Sequence, residues 1–365
     1  MSHPRRRAAL RERLRARELD ALLVTDLLNI RYLTGFTGSH AALLVHAEGD
    51  ERSVFATDGR YRTQSQQQVP DLRRVIDRSI RLRLAKEATE TGIGRLGFES
   101  HVVTVDGHAA LVKATGADLL VATSRPVEAL RLIKDDTEVA ALRAACAAAD
   151  TALAGLLADG GLRPGRTERE VARDLEARMV AAGAAGPSFE TIVATGANSA
   201  VPHHRPTGAQ LRRGDLLKLD FGALVDGYHS DMTRTVVLGE PAGWQQELYD
   251  LVAAAQAAGR AALRAGADVR DVDAAARDVI VRAGHGAHFV HSLGHGVGLQ
   301  IHEAPALSQF GVGTLASGMT VTVEPGVYLA DRGGVRIEDT LVVSDGEPEL
   351  LTQTTKDLVV VPCLR

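Results

Sequence analysis

The chain has 365 residues, 45% hydrophobic and 24% charged, with 42 Lys and Arg against 46 Asp and Glu for a net charge of −4. That length exceeds one ordinary hydrophobic core, so two domains are expected, and the mixture excludes a disordered chain. So mild a charge balance gives no electrostatic reason to expect nucleic acid or a membrane surface as partner.

Aromatic residues make up only 4%, so Ala, Val and Leu must fill the core. Cys146 and Cys363 stand far apart in no metal-ligand spacing and read as reduced thiols of a cytoplasmic protein. At the start, Arg5, Arg6 and Arg7 are followed by the charged run RERLRAREL and not by an apolar stretch, so no secretory signal is expected. Leu10 and Leu14 predict a helix with one buried edge and a solvated basic face. Up to about residue 125, strand-like and helical runs alternate as in an α/β domain. The strand candidates are 20–25 (DALLVT), 41–46 (AALLVH) and 118–123 (DLLVAT). A long helical stretch then runs on from Leu132, with Asp135, Asp136 and Glu138 suited to a helix N-terminus. The domain boundary falls near 126–134, which divides the chain into 1–130 and 131–365. No apolar run approaches the length needed to span a membrane.

The second part repeats itself. Gly165-Arg-Thr-Glu-Arg-Glu-Val171 is similar to Gly266-Ala-Asp-Val-Arg-Asp-Val272, and each opens a helical stretch. Thr167 with Glu170 forms a capping-box pattern, and Asp268 with Asp271 a weaker one. Further on, Gly214-Asp-Leu-Leu-Lys-Leu-Asp220-Phe-Gly222 matches Gly318-Met-Thr-Val-Thr-Val-Glu324-Pro-Gly326, a span of equal length. Asp220 therefore falls on the place of Glu324. Asp231, in Ser230-Asp231-Met-Thr233, falls on Glu338, in Ile337-Glu338-Asp-Thr340. Two halves folded about a pseudo-twofold axis would bring these four carboxylates together.

Four buried acids in one cleft repel one another unless they are protonated or neutralised by cations. Divalent ions supply the missing positive charge. Between the acidic pairs lies Phe289-Val-His291-Ser-Leu-Gly-His295-Gly-Val-Gly-Leu-Gln-Ile-His302-Glu303, whose histidines offer nitrogen ligands and whose glycines allow close backbone approach. So oxygen-rich a ligand set suits Mn²⁺ or Co²⁺ at least as well as Zn²⁺.

Taken together, Asp220, Asp231, Gly294-His295-Gly296, Glu324-Pro-Gly326 and Gly333-Gly-Val-Arg-Ile-Glu338 resemble the pita-bread metallopeptidases, a family that includes aminopeptidase P, prolidase and methionine aminopeptidase. Tyr32-Leu-Thr-Gly-Phe-Thr-Gly-Ser39 and Thr57-Asp-Gly-Arg-Tyr61 resemble the creatinase-type N-terminal domain of the proline-specific members. The resemblance implies an α/β N-terminal domain followed by an α+β pita-bread catalytic domain with an internal duplication. It also implies two divalent ions, Mn²⁺ foremost, with Asp231 and Glu338 bridging them, Asp220 on one, and His295 with Glu324 on the other. Such a pair activates a water and polarises the scissile carbonyl.

By the same resemblance, Glu324 moves the proton to the leaving nitrogen. His203 holds substrate and stabilises the tetrahedral intermediate, with His204 beside it read as a surface residue. His302 and His291 contact substrate or orient ligands, and Arg336 pairs with nearby carboxylates and binds substrate. Thr233 is a candidate partner of a ligand carboxylate. The implied activity is an Xaa-Pro aminopeptidase acting on peptides with a free N-terminus and proline in second place, as a homodimer. Thr57-Asp-Gly-Arg-Tyr61 tips the choice toward that reading over its alternative, an Xaa-Pro dipeptidase with the same ligands. A non-catalytic pita-bread protein that binds peptides is the reading from another class, and the intact ligand set argues against it.

Overall fold

A computed structural model describes residues 2–363. They divide into two compact units, Met1–Arg131 and Leu132–Arg365.

In the first unit a six-stranded sheet runs in the order Arg73–Ile76, Val54–Thr57, Ala41–His46, Ala21–Val24, Leu96–Glu99, Leu120–Thr123. Ala21–Val24 is a central strand, antiparallel to Ala41–His46 and parallel to Leu96–Glu99. Both faces are covered, which is why its sequence reads as an unbroken apolar run instead of alternating. The strands expected within 20–25, 41–46 and 118–123 are all there; those at 54, 73 and 96 are four residues each and left no such run. The N-terminal helix His3–Ala16 buries Leu10 and Leu14 as expected. Its basic face departs from expectation, because Arg6 and Arg7 are buried as well. Arg7 donates to Leu33 O at 2.8 Å and pairs with Asp50 and Asp71, so these charges serve folding.

Duplication organises the second unit. Helices Asp136–Ala158 and Glu168–Ala181 pack together over one core, and Gly243–Ala262 and Val269–Arg282 over another. The first half contributes three strands of a four-stranded sheet, in which Leu216–Phe221 pairs antiparallel with Met232–Leu238 and Val360–Val361 from the end of the chain adds the fourth. The second half contributes a five-stranded sheet in which Thr320–Val323 pairs antiparallel with Asp339–Val342. Small details repeat too: lone bridges join Thr167 to Gln210 and Asp268 to Thr314. Gly214 and Gly318 open matching strands at φ +90° and +88°, a left-handed turn that only glycine enters without strain.

Asp135 caps the first helix with a full capping box to Glu138, and Thr167 does so with Glu170. Asp268 caps with one backbone bond, from Arg270 N, and pairs with the Arg270 side chain, with no reciprocal box: the weaker cap its sequence predicted. One expectation needs correction. Helix Asp136–Ala158 is long and apolar enough to cross a membrane by length and composition. Its alanines raise apolarity without bulk, and Ala148, Ala149, Ala152, Leu153 and Leu156 are packed into the core of the first half.

Candidate active site

Each half brings one acid from an outgoing strand and one from its return strand to the same edge. Asp220 lies in Leu216–Phe221, and Asp231 directly precedes Met232–Leu238. Glu324 directly follows Thr320–Val323, and Glu338 directly precedes Asp339–Val342. The halves are stitched where they meet, by Glu338 N donating to Thr233 O at 3.1 Å and Thr340 Oγ1 to Asp231 O at 2.8 Å. As a result Asp220, Asp231, Glu324 and Glu338 line one cleft of about 450 Å³, together with His203, His291, His295, His302 and Arg336. The metal, catalytic and substrate candidates named from the sequence therefore all line this cleft.

His295 is set there by its flanking glycines. A Cβ on Gly294 would meet Thr322 O at 2.0 Å, and one on Gly296 would meet Ala304 O at 2.1 Å, so no other residue fits between the adjoining strands. Nδ1 of His295 faces Gly296 O at 3.1 Å. A proton on Nδ1 leaves the lone pair on Nε2, which stands 3.5 Å from both Asp231 Oδ2 and Glu324 Oε1. Asp231, His295 and Glu338 each offer a ligand atom, all within 4.8 Å of one another. Two threonines hold the acids: Thr233 Oγ1 donates to Glu338 Oε2 at 2.7 Å, as its candidacy required, and Thr322 Oγ1 to Glu324 Oε1 at 3.3 Å.

The electrostatics of this cluster favour a cation. Burial, and then the neighbouring acids Glu338, Asp220 and Glu324, push the Asp231 carboxyl well above its ordinary range. Burial followed by Glu324 and Asp220 does the same to Glu338, and burial raises Glu324 to about 8. Asp220 Oδ1 is buried without a hydrogen-bond partner. Burial also drives His295 down to about 4, leaving it a neutral nitrogen donor. An unpaired oxygen, mutually repelling acids and a neutral imidazole together fit divalent metal ions.

The remaining residues divide by how their polar atoms are engaged. His203 is exposed to the cleft, and burial followed by the charge of Arg336 lowers its pKa, which keeps the ring neutral. The ring of His302 stands edge-on to His295 at 4.4 Å between centroids. His291 approaches Ser292 O through Nδ1 and Tyr328 Oη through Nε2, both at 2.8 Å, so both its nitrogens have protein partners. Arg336 donates to Thr233 Oγ1, Pro202 O, Tyr328 Oη and Asp220 Oδ2. The bond to Asp220 is the expected pairing with a nearby carboxylate, and the other bonds brace Arg336 against the wall of the cleft it lines. His204 is no loose surface residue either: its Nε2 meets Glu168 Oε2 at 2.8 Å, and it lines the cleft beside His203.

Four residues of this region went unnoticed in the sequence. Tyr328 links Arg336 to His291, while Lys218 and Glu168 bond the loop that carries His203. Behind Glu338, Arg234 is buried and donates to Thr233 O, Glu338 O and Asp339 Oδ1. A lysine inside the run Leu-Leu-Lys-Leu-Asp was the visible clue to the second of these. Removing Arg234 would take from the buried Asp339 its buried guanidinium partner and leave it Lys356 at 3.3 Å, Gln256 and Thr352. Arg234→Met is therefore expected to cost about 3 kcal/mol, the low end for breaking a buried ion pair, read as a lower midpoint of thermal unfolding.

The sequence profile of metallopeptidase family M24 matches residues 140–345, and that of the creatinase/prolidase N-terminal domain matches 6–133. Over 233 residues the chain is 42% identical to an Xaa-Pro dipeptidase of Pyrococcus furiosus, spanning 64% of this chain and 66% of that one. Among solved structures, an Xaa-Pro dipeptidase from Bacillus anthracis superposes with a TM-score of 0.93 at 39% identity, covering 98% of this chain and 100% of the other. An X-Pro aminopeptidase from Thermotoga maritima superposes with a TM-score of 0.88 at 32% identity, covering 97% and 99%.

Proposed function

We infer that this chain, which belongs to metallopeptidase family M24, is an Xaa-Pro dipeptidase. The observation that carries a metal-dependent hydrolase is the convergence of four buried acids and the neutral His295 in one cleft. The choice of dipeptidase rests on likeness: across superposed structures identity is 39% to the Bacillus anthracis dipeptidase, against 32% to the aminopeptidase and 32% to a Pyrococcus furiosus prolidase. This replaces the aminopeptidase preference drawn from Thr57–Tyr61. That segment is a turn of the first unit in which Asp58 pairs with Arg60, and it reports on that unit's fold.

In this reading Asp220, Asp231, His295, Glu324 and Glu338 would together hold two divalent ions. Bound there, the ions supply Lewis acidity and lower the pKa of water. Mn²⁺ suits so oxygen-rich a set. The protein supplies the rest. Thr322 steadies Oε1 of Glu324, so this carboxyl can take a proton and release it to the imide nitrogen without swinging. His203, neutral and facing the cleft, donates to the developing oxyanion. The acidic wall favours a cationic α-amino group at the substrate's start. A proline nitrogen carries no hydrogen, so its recognition relies on shape and on contacts to carbonyls.

With Mn²⁺ supplied, Xaa-Pro dipeptides are expected to be cleaved at least about tenfold faster than Xaa-Pro-Xaa tripeptides, a gap of about 1.4 kcal/mol in transition-state binding. N-acetylated substrates should fail. Faster tripeptide cleavage would return the assignment to an aminopeptidase, and rapid cleavage of Met-Ala peptides would remove proline specificity altogether.

A further inference from the structure

Lys218 stands between the buried, apolar Leu217 and Leu219 on an inner strand of its sheet. It lies in Leu216–Phe221, is fully buried, and its Nζ donates to Val201 O at 2.6 Å and Pro202 O at 3.0 Å. The face of the Tyr328 ring is 5.1 Å away. These carbonyls belong to the two residues directly before His203. On the other side of the same loop Glu168, also fully buried, accepts from Thr195 N and Asn198 Nδ2 through Oε1. Its Oε2 meets His204 Nε2 and accepts from Thr207 N and Thr207 Oγ1. One buried lysine therefore holds the loop just before His203, and one buried glutamate holds it on both sides.

Stability alone does not account for such residues. Taking a lone charge out of water is expensive, and an apolar residue of similar volume often serves stability as well or better. What a buried lysine provides and a leucine does not is a fixed position for two carbonyl oxygens. We propose that Lys218 and Glu168 are positioning residues that set His203 in its working place, ahead of substrate. The proposal rests on the catalytic role assigned to His203 above. Misplacing a transition-state donor by about 1 Å can cost about 10²-fold in rate, which is the scale of the expected effect.

The test is a double-mutant cycle on the Mn²⁺-loaded enzyme, with metal content measured for each variant. Lys218→Met should lower kcat by about 10²-fold with little change in KM, because the loop donor is displaced and not the ions. Bound manganese should equal that of the wild type. The double variant Lys218→Met/His203→Ala should be no slower than His203→Ala alone, since residues acting through one another do not add. Losses that multiply in the double variant, or wild-type kcat in Lys218→Met, would overturn the proposal. Should Lys218→Met fail to fold, Glu168→Gln probes the loop from its other side, and the same two outcomes decide. Full activity in His203→Ala would strike instead at the premise, and so separates the two failures.

Discussion

Asp231→Asn is expected to abolish turnover and lower bound metal, and Glu338→Gln to do the same. An amide carries no charge and turns N–H donors toward cations, so it cannot bridge two of them as a carboxylate does. Asp231 and Glu338 occupy equivalent places in the two halves, so their losses should be alike. Stability gives a second reading. Metal-free wild type keeps its acids buried and mutually repelling, which is why burial and the neighbouring acids drive Asp231 and Glu338 upward. Removing one acid relieves that repulsion, so each metal-free variant should melt at or above metal-free wild type. Mn²⁺ at 100 times its dissociation constant should then stabilise wild type by about 2.7 kcal/mol and the variants far less. Elemental analysis and thermal melts with and without Mn²⁺ check both parts. Equal metal content in Asp231→Asn would end the bridging role. A loss confined to one of the two variants would end the symmetric account of the site.

Much of this site was legible because duplication writes it twice. One acidic residue near a strand end says little, but Asp220 matched to Glu324 and Asp231 matched to Glu338 imply an axis, and an axis implies convergence. Gly294 and Gly296 were equally readable, since backbones that nearly touch leave no room for a Cβ. What stayed hidden depends on partners far apart in the chain. Nothing near Arg7 announces Asp50 and Asp71, and nothing near Arg234 announces the Asp339 it meets at 2.8 Å. Arg336 was placed correctly in the cleft from its spacing to Glu338, yet its duty as a brace required the positions of Pro202 and Tyr328. Hydrophobic patterning reports which face is buried; it is silent on which buried ions find each other.

His203→Ala is expected to lower kcat by about 10²- to 10³-fold, the scale for removing one transition-state donor, while leaving bound metal unchanged. The adjacent histidines make this a sharp comparison, because the structure gives them different surroundings. His204 meets Glu168 through Nε2, so His204→Ala removes one of the contacts that anchor the loop and leaves the others in place. Its loss in kcat should be clearly smaller than that of His203→Ala. His203 faces the cleft with a neutral ring, its pKa lowered by burial and by the charge of Arg336. A neutral imidazole can donate one hydrogen bond to an oxyanion without adding a charge that would compete with the metal ions. Steady-state kinetics of both variants, with manganese measured alongside, decide the matter. A larger loss in His204→Ala would move the donor by one residue, and wild-type kcat in both would place the oxyanion elsewhere in the cleft. A loss of metal in His203→Ala would make it a ligand, a role its exposed position on the loop does not support.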